Sequence, residues 1–227
     1  MTITPTTLTR AAGAAAVVAG LLFIGIQVNH PPMELASVTT TDWAVRNVLK
    51  TVMAALALAG ITGMYASQVR KTGVLGLLGY VVFATGFLVM LAVAFVAATV
   101  LPTVVHTAPA YVDDVLTVAF KGTAAGDIGL LHTAITLSGI AYVAGGVLFG
   151  IALLRAGVLA RWASALLVAG TVASLAIPLL PPVYERLFAV PTGVALAGLG
   201  YSLWRAGRVA ATRAVTVSPR LDPADAT

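Results

Sequence analysis

The sequence contains no cysteine, which excludes disulfides, thiolate metal sites and cysteine nucleophiles. It is almost as poor in charge. Asp, Glu, Lys and Arg make up 9% of the residues, against about 25% in a typical soluble domain. A soluble chain with so few charges could not cover its own surface. Ionisable groups are scarcest within the apolar runs, where ion-coupled transporters usually carry carboxylates or histidine, and this disfavours a proton-driven transporter. The features of an intramembrane protease are also missing. In TLSGI around Ser138 no glycine stands two residues before the serine, and no histidine follows later in the chain to activate it. A serine inside a helix can bond its own backbone, so Ser138 is read as structural.

What is present is apolar. Hydrophobic residues make up 59% of the 227, and the mean hydropathy is +1.00. Runs longer than about 18 apolar residues are candidate membrane spans. Six occur, at 11–29, 47–67, 73–101, 129–154, 159–180 and 186–206. The expected fold is an all-α membrane bundle of six spans in a single domain, 1–206, followed by a disordered cytoplasmic tail at 207–227. The first run follows a lone Arg10, but QVNHPPMELASV offers no small-x-small cleavage site directly after it. It is read as a retained span rather than a signal peptide.

The net charge of +5 is not clustered as nucleic-acid binding requires; it sorts by membrane side. One set of loops and ends carries Arg10, Arg70, Lys71, Arg155, Arg161, Arg205, Arg208, Arg213 and Arg220. The other carries Arg46, Lys50, Lys121 and Arg186, together with Glu34, Asp42, Asp113, Asp114, Asp127 and Glu185. The positive-inside rule then puts both termini in the cytoplasm of a bacterial inner membrane.

The stretch TTTDWAVRNVLKTVMAALALAG, residues 39 to 60, runs against that bias. Asp42, Arg46 and Lys50 are spaced four apart and share one helix face as the segment enters the apolar run. Two readings follow. In the first, the cations snorkel to the outer interface, with Asp42 and Arg46 as an i,i+4 pair and Trp43 as an interfacial anchor. In the second, they face a polar cavity between helices.

All three histidines fall on the same outer side: His30 in QVNHPP, His106 in LPTVVHTAP and His132 in GDIGLLHTA, five residues after Asp127. They are candidate ligands for a divalent metal, and two of them for a haem iron. No spacing among them forms a metal motif, and no cofactor is expected. Asp42, Arg46, Lys50, Asp127 and His132 form the candidate polar cluster of the outer face. Between the third and fourth runs, Val112, Val115, Leu116, Ala119 and Phe120 recur at helical spacing beside Asp113, Asp114, Thr117 and Lys121. This predicts a short amphipathic helix on the outer surface, capped by Thr107 and stopped by Gly122. It is either a structural cover or a lid over an outward-opening cavity.

Small residues recur at packing distances: Gly146 with Gly150, Ala16 with Gly20, Ala59 with Gly63, Gly193 with Ala197, and Gly139 with Gly146 one heptad apart. Such stripes let helix backbones approach closely, within one chain or between two copies of it. Pro191 predicts a kink in the sixth span, and Pro178, Pro181 and Pro182 end the fifth.

The segments NHPP, TTDW, GITGMYASQ, GVLGLLGY and ALLRAGVLARWASALL, with the late GYSLWR, resemble a family of small, uncharacterised polytopic membrane proteins of GC-rich bacteria. The resemblance covers most of residues 20–206. It implies a six-helix inner-membrane bundle and transfers no activity to any residue. Three functional expectations follow. The first is a non-enzymatic protein that binds a lipid or hydrophobic small molecule in an outward-facing pocket, or serves as a membrane partner subunit. The second is a metal- or haem-dependent enzyme or redox protein of the outer face. The third is a transporter of a neutral or lipophilic compound. The expected partners are the bilayer, a lipophilic small molecule and a second copy through the small-residue faces, with no nucleic acid.

Overall fold

A computed structural model describes residues 4–120, 122–179 and 186–217. All regular structure among them is helical. Five helices are long and apolar enough to cross a membrane, and a sixth apolar helix is shorter. The chain is a membrane-embedded protein by these lengths and compositions.

Helix α1 spans Pro5–Gly25. It starts six residues before the apolar run because Thr4 caps it, accepting from the Thr7 N–H at 3.2 Å, and Pro5 suits the first turn. A short helical turn, α2 (Leu35–Val38), precedes α3 (Thr41–Ala66). Thr40 caps α3 by accepting from the Trp43 N–H, so Asp42 and Arg46 lie inside the helix. Helix α4 (Val69–Thr99) is interrupted at Gly73, whose φ of 59° and ψ of −153° suit only glycine. The turn α5 (Leu101–Val104) extends it past Pro102. Next come α6 (Pro109–Ala119), α7 (Leu130–Ala156) and α8 (Arg161–Ala173). The chain then tightens into a 3-10 segment over Ser174–Leu179, because Pro178 has no N–H to continue an α-helix. A second 3-10 turn, Arg186–Phe188, leads into α9 (Ala189–Val217).

Three expectations need correction. Pro191 does not kink the last helix. The helix begins at Ala189, so the proline lies in the first turn, where no intrahelical bond is lost. The tail does not begin at 207, because α9 continues to Val217. RAGRVAATRAV is rich in Ala and Arg, strong helix formers, and holds no proline. The remaining residues, 218–227, lie outside the described ones. Thr107 does not cap α6. Ala108 holds that position, and the Thr107 hydroxyl donates to the Val104 carbonyl instead.

The long helices close a ring in the order α1, α3, α4, α7, α8, α9 and back to α1. Each neighbour runs antiparallel to the next. Gly13 of α1 lies on Gly200 and Trp204 of α9, while Gly20 lies on Gly193 and Ala197. Gly60 and Gly63 of α3 meet Ala16 and Ala12 of α1. Gly79 and Gly86 of α4 meet Phe149 and Tyr142 of α7, and Gly146 and Gly150 of α7 meet Thr171 and Val168 of α8. The small-residue stripes thus pack within the chain. Two members are exceptions: Ala59 is exposed, and a Cβ at Gly139 would meet nothing within 4 Å. Phe83, Phe87, Tyr142 and Phe149 fill the centre of the ring in tilted and edge-on arrangements. A second apolar cluster lies at one end, where α6 seats Val112, Val115 and Leu116 on Val38, Trp43, Leu101 and Val105.

A Cβ at Gly86 would sit 2.7 Å from the Tyr142 backbone nitrogen, an atom that cannot swing aside. Gly86→Leu should destabilise the bundle by about 1–3 kcal/mol or more through overpacking. Gly139→Ala should be neutral or raise stability by up to about 1 kcal/mol through helix propensity. Thermal unfolding in detergent compares the two, and equal effects would show that the close approach does not hold α4 to α7.

Candidate functional site

The polar residues singled out in the sequence lie at the end of the ring covered by α6. There α1 ends and leaves carbonyls without intrahelical partners. Asn29, at φ 51°, turns the chain into His30, Pro31 and Pro32. Arg46 reaches across from α3. Its Nη1 donates to the Ile26 and Val28 carbonyls at 2.9 and 2.7 Å, and its Nε donates to both Asp42 oxygens at 2.9 Å. The guanidinium therefore caps the negative end of α1. Its side chain is 16% exposed and that of Asp42 51% exposed, so Asp42 serves mainly to orient it.

Lys50 lies one turn deeper. Its Nζ donates to His30 Nε2 at 2.9 Å, while His30 Nδ1 stands 2.8 Å from the Pro31 carbonyl. A carbonyl only accepts, so the imidazole proton is on Nδ1 and the Nε2 lone pair receives the lysine N–H. Arg186 donates to the same Pro31 carbonyl at 3.4 Å. Burial, then the nearby Lys50 charge, push the His30 pKa from 6.5 down to about 4. The Arg186 and Arg46 charges act in the same direction, and the Pro31 bond acts against it.

These groups form the polar pole of a cavity of about 320 Å³, walled by Phe23, Met90, Phe120, Tyr142 and Phe188. No Asp or Glu lines it among the described residues, and Lys50 has no carboxylate partner among them. A smaller apolar cavity of about 140 Å³ lies under α6, against Val115 and Leu116, and shares the Lys50, Met90 and Ala119 walls. On the other side an open groove of about 760 Å³ runs along α7 to Ser174 and Leu175, and shares Ala119, Tyr142 and Ser174 with the first cavity.

The predicted cluster is therefore divided. Lys50 enters the cavity, while Arg46 and Asp42 secure the end of α1 beside it. Asp127 lies in the loop before α7 and accepts from the Gly129 N–H at 2.7 Å. His132 is exposed in the groove and His106 is exposed after α5. Among the described residues no three His, Asp or Glu side chains are placed to hold a metal ion. Trp43 is not an interfacial anchor. It is 2% exposed, and its Nε1 donates to the Ala97 carbonyl at 2.8 Å, because it packs between α3 and α4 beneath α6. Ser138 bonds not its own helix but the Gly86 carbonyl of α4, at 3.3 Å.

Sequence reasoning did not find Tyr142, Ser174, Phe23 or Gln27, which line the cavity, and it counted Arg186 only as an outer charge. Tyr142 carried a signal, as a hydroxyl within an apolar run. It donates to Thr192 of α9 at 2.9 Å, and no spacing reveals that partner. Comparison of the chain with protein families, with curated proteins and with solved structures found no match.

Two predictions follow from this geometry. Asp42→Asn should cost less than about 1 kcal/mol, as for an exposed pair. Arg46→Met should cost about 1–3 kcal/mol, because the Ile26 and Val28 carbonyls lose their donor. Equal losses in thermal unfolding would refute the capping role. The His30 shift gives a pH dependence of known sign. The unfolded imidazole titrates near 6.5 and the folded one near 4, so the unfolded state binds more protons in that window. Stability should be full above pH 6.5 and fall as pH drops toward 4. His30→Gln should remove that part of the acid sensitivity in melts compared at pH 7 and pH 5.

Proposed function

We propose that the protein binds a lipid or another hydrophobic small molecule in the cavity beneath α6, as a binding protein rather than an enzyme. One observation carries the reading: an aromatic-walled cavity in the size range of ligand sites, about 300–1,000 Å³, with the Lys50–His30 pair in its wall. Such a shape fits a ligand with an apolar body and one polar end. The small void beneath Val115 and Leu116 supports α6 as the cover of this site.

The proposed setting is a bacterial inner membrane crossed six times, with both termini cytoplasmic and α6 on the outer surface. The antiparallel ring supports the sixth crossing. Helices α7 and α9 run the same way, so α8 must return the chain between them. Its 13 α-helical and six 3-10 residues span roughly 31 Å, close to the hydrocarbon thickness.

Native mass spectrometry of gently extracted protein tests the binding reading. The expected result is a retained lipid or organic mass that is lost in Ala119→Trp, whose ring would occupy the walls shared by all three spaces. Loss of the mass on dilution in detergent, equally for both proteins, would refute it.

A further inference from the structure

The cavity's charge and its connection to the groove narrow the class of ligand. We infer, building on the binding reading above, that the site takes a single-chain acidic amphiphile, with its carboxylate or phosphate on Lys50 and its alkyl chain along the α7 groove. Lys50 is the centre of the argument. Its ammonium has three N–H donors, and one of them is given to His30 Nε2. The imidazole is a neutral partner, so the lysine charge is hydrogen-bonded but not neutralised. No carboxylate lines the cavity among the described residues. A cation at membrane depth ordinarily pairs with an anion. An acidic head group supplies that anion together with two acceptors for the remaining N–H bonds.

The groove accounts for the rest of the ligand. At about 320 Å³ the first cavity is at the small end of ligand sites and suits a head and the start of one chain. Tyr142, Ser174 and Ala119 form the wall it shares with the groove. The groove floor is Ile135, Gly139 and Val143 of α7, and its far edge is Leu175, which is 60% exposed. It opens sideways between α7 and the 3-10 segment that follows α8, toward the side of the bundle where Ile140 is 63% exposed. His132, Thr136 and Ser138 also line the groove, and an alkyl chain laid on Ile135, Val143 and Leu175 meets apolar atoms there and lipid on its other side. Gly139 makes this testable. A Cβ built there meets nothing within 4 Å, and Gly139 lines the groove, so a side chain starts into it without pressing on a neighbouring helix.

The experiment uses the full chain in a neutral detergent and measures binding of oleate, oleyl alcohol and oleoyl lysophosphatidate by calorimetry. Oleate should bind about tenfold or more tightly than oleyl alcohol, as expected for one charge-assisted bond. Lys50→Met should abolish that preference by weakening oleate far more than oleyl alcohol, and Lys50→Arg should retain it. Lys50→Arg keeps the test decisive if Lys50→Met does not fold. Gly139→Leu should weaken all three amphiphiles about tenfold. Tighter binding of lysophosphatidate than of oleate assigns the head to a phosphate monoester, and the reverse order assigns it to a fatty acid. Equal affinity for oleate and oleyl alcohol in the parent protein would overturn the acidic-head assignment and leave the binding reading intact, as would a preference that survives Lys50→Met. Unchanged binding in Gly139→Leu would overturn the placement of the chain. Binding of none of the three would overturn the cavity reading as well.

Discussion

Glycine against backbone is the contact on which this structure depends. In a bilayer the hydrophobic effect does not drive helices together, because lipid tails are as apolar as leucine. Close packing must do that work. Gly13 and Gly20 bring α1 onto α9, and Gly79 and Gly86 bring α4 onto α7, at distances that leave no room for a methyl group. These contacts set the register of each antiparallel pair. Gly60 and Gly63 on Ala16 and Ala12 decide in the same way which residues of α3 stand level with the end of α1. The meeting of Arg46 with the Ile26 and Val28 carbonyls, and of Lys50 with His30, follows from that register.

The charged end of α3 carries two cations with different tasks. Arg46 has a planar fork that satisfies a carboxylate and two carbonyls together. Lys50 has a single ammonium held by an imidazole that is itself fixed by a proline carbonyl. Pro31 has no N–H of its own, but its carbonyl joins the adjacent His30 to Arg186 from a distant part of the chain. A neutral histidine avoids adding a further positive charge beside Lys50. This arrangement requires the lowered His30 pKa and makes the region sensitive to acid.

Proline shapes the opposite wall. Pro178 tightens the chain after Ala173 into a 3-10 segment, and the helix that would otherwise cover the α7 surface narrows there. The groove along Ile135 to Val143 lies beside that change. At the covered end, α6 holds its place through Val112, Val115 and Leu116 below, while Asp114 accepts from the Ala125 and Gly126 N–H groups and pins the loop that follows. Cover, cavity and groove meet at Ala119.

Composition and apolar run length determined that the chain is a helical membrane protein, and local spacing determined the i,i+4 pair of Asp42 with Arg46 and the amphipathic face of α6. These are properties of a few consecutive residues, so they can be read in order along the chain. Helix ends were less legible, because caps such as Thr4 and Thr40 extend a helix beyond its apolar run. Only the tertiary structure decided that the small-residue stripes face partners within the chain and that Trp43 is buried. It also decided that Lys50 meets a histidine twenty residues earlier, with Arg186 and Tyr142 in the same cavity wall. Those meetings depend on ring order and register. Both arise from backbone approach summed over six helices, which no single segment records.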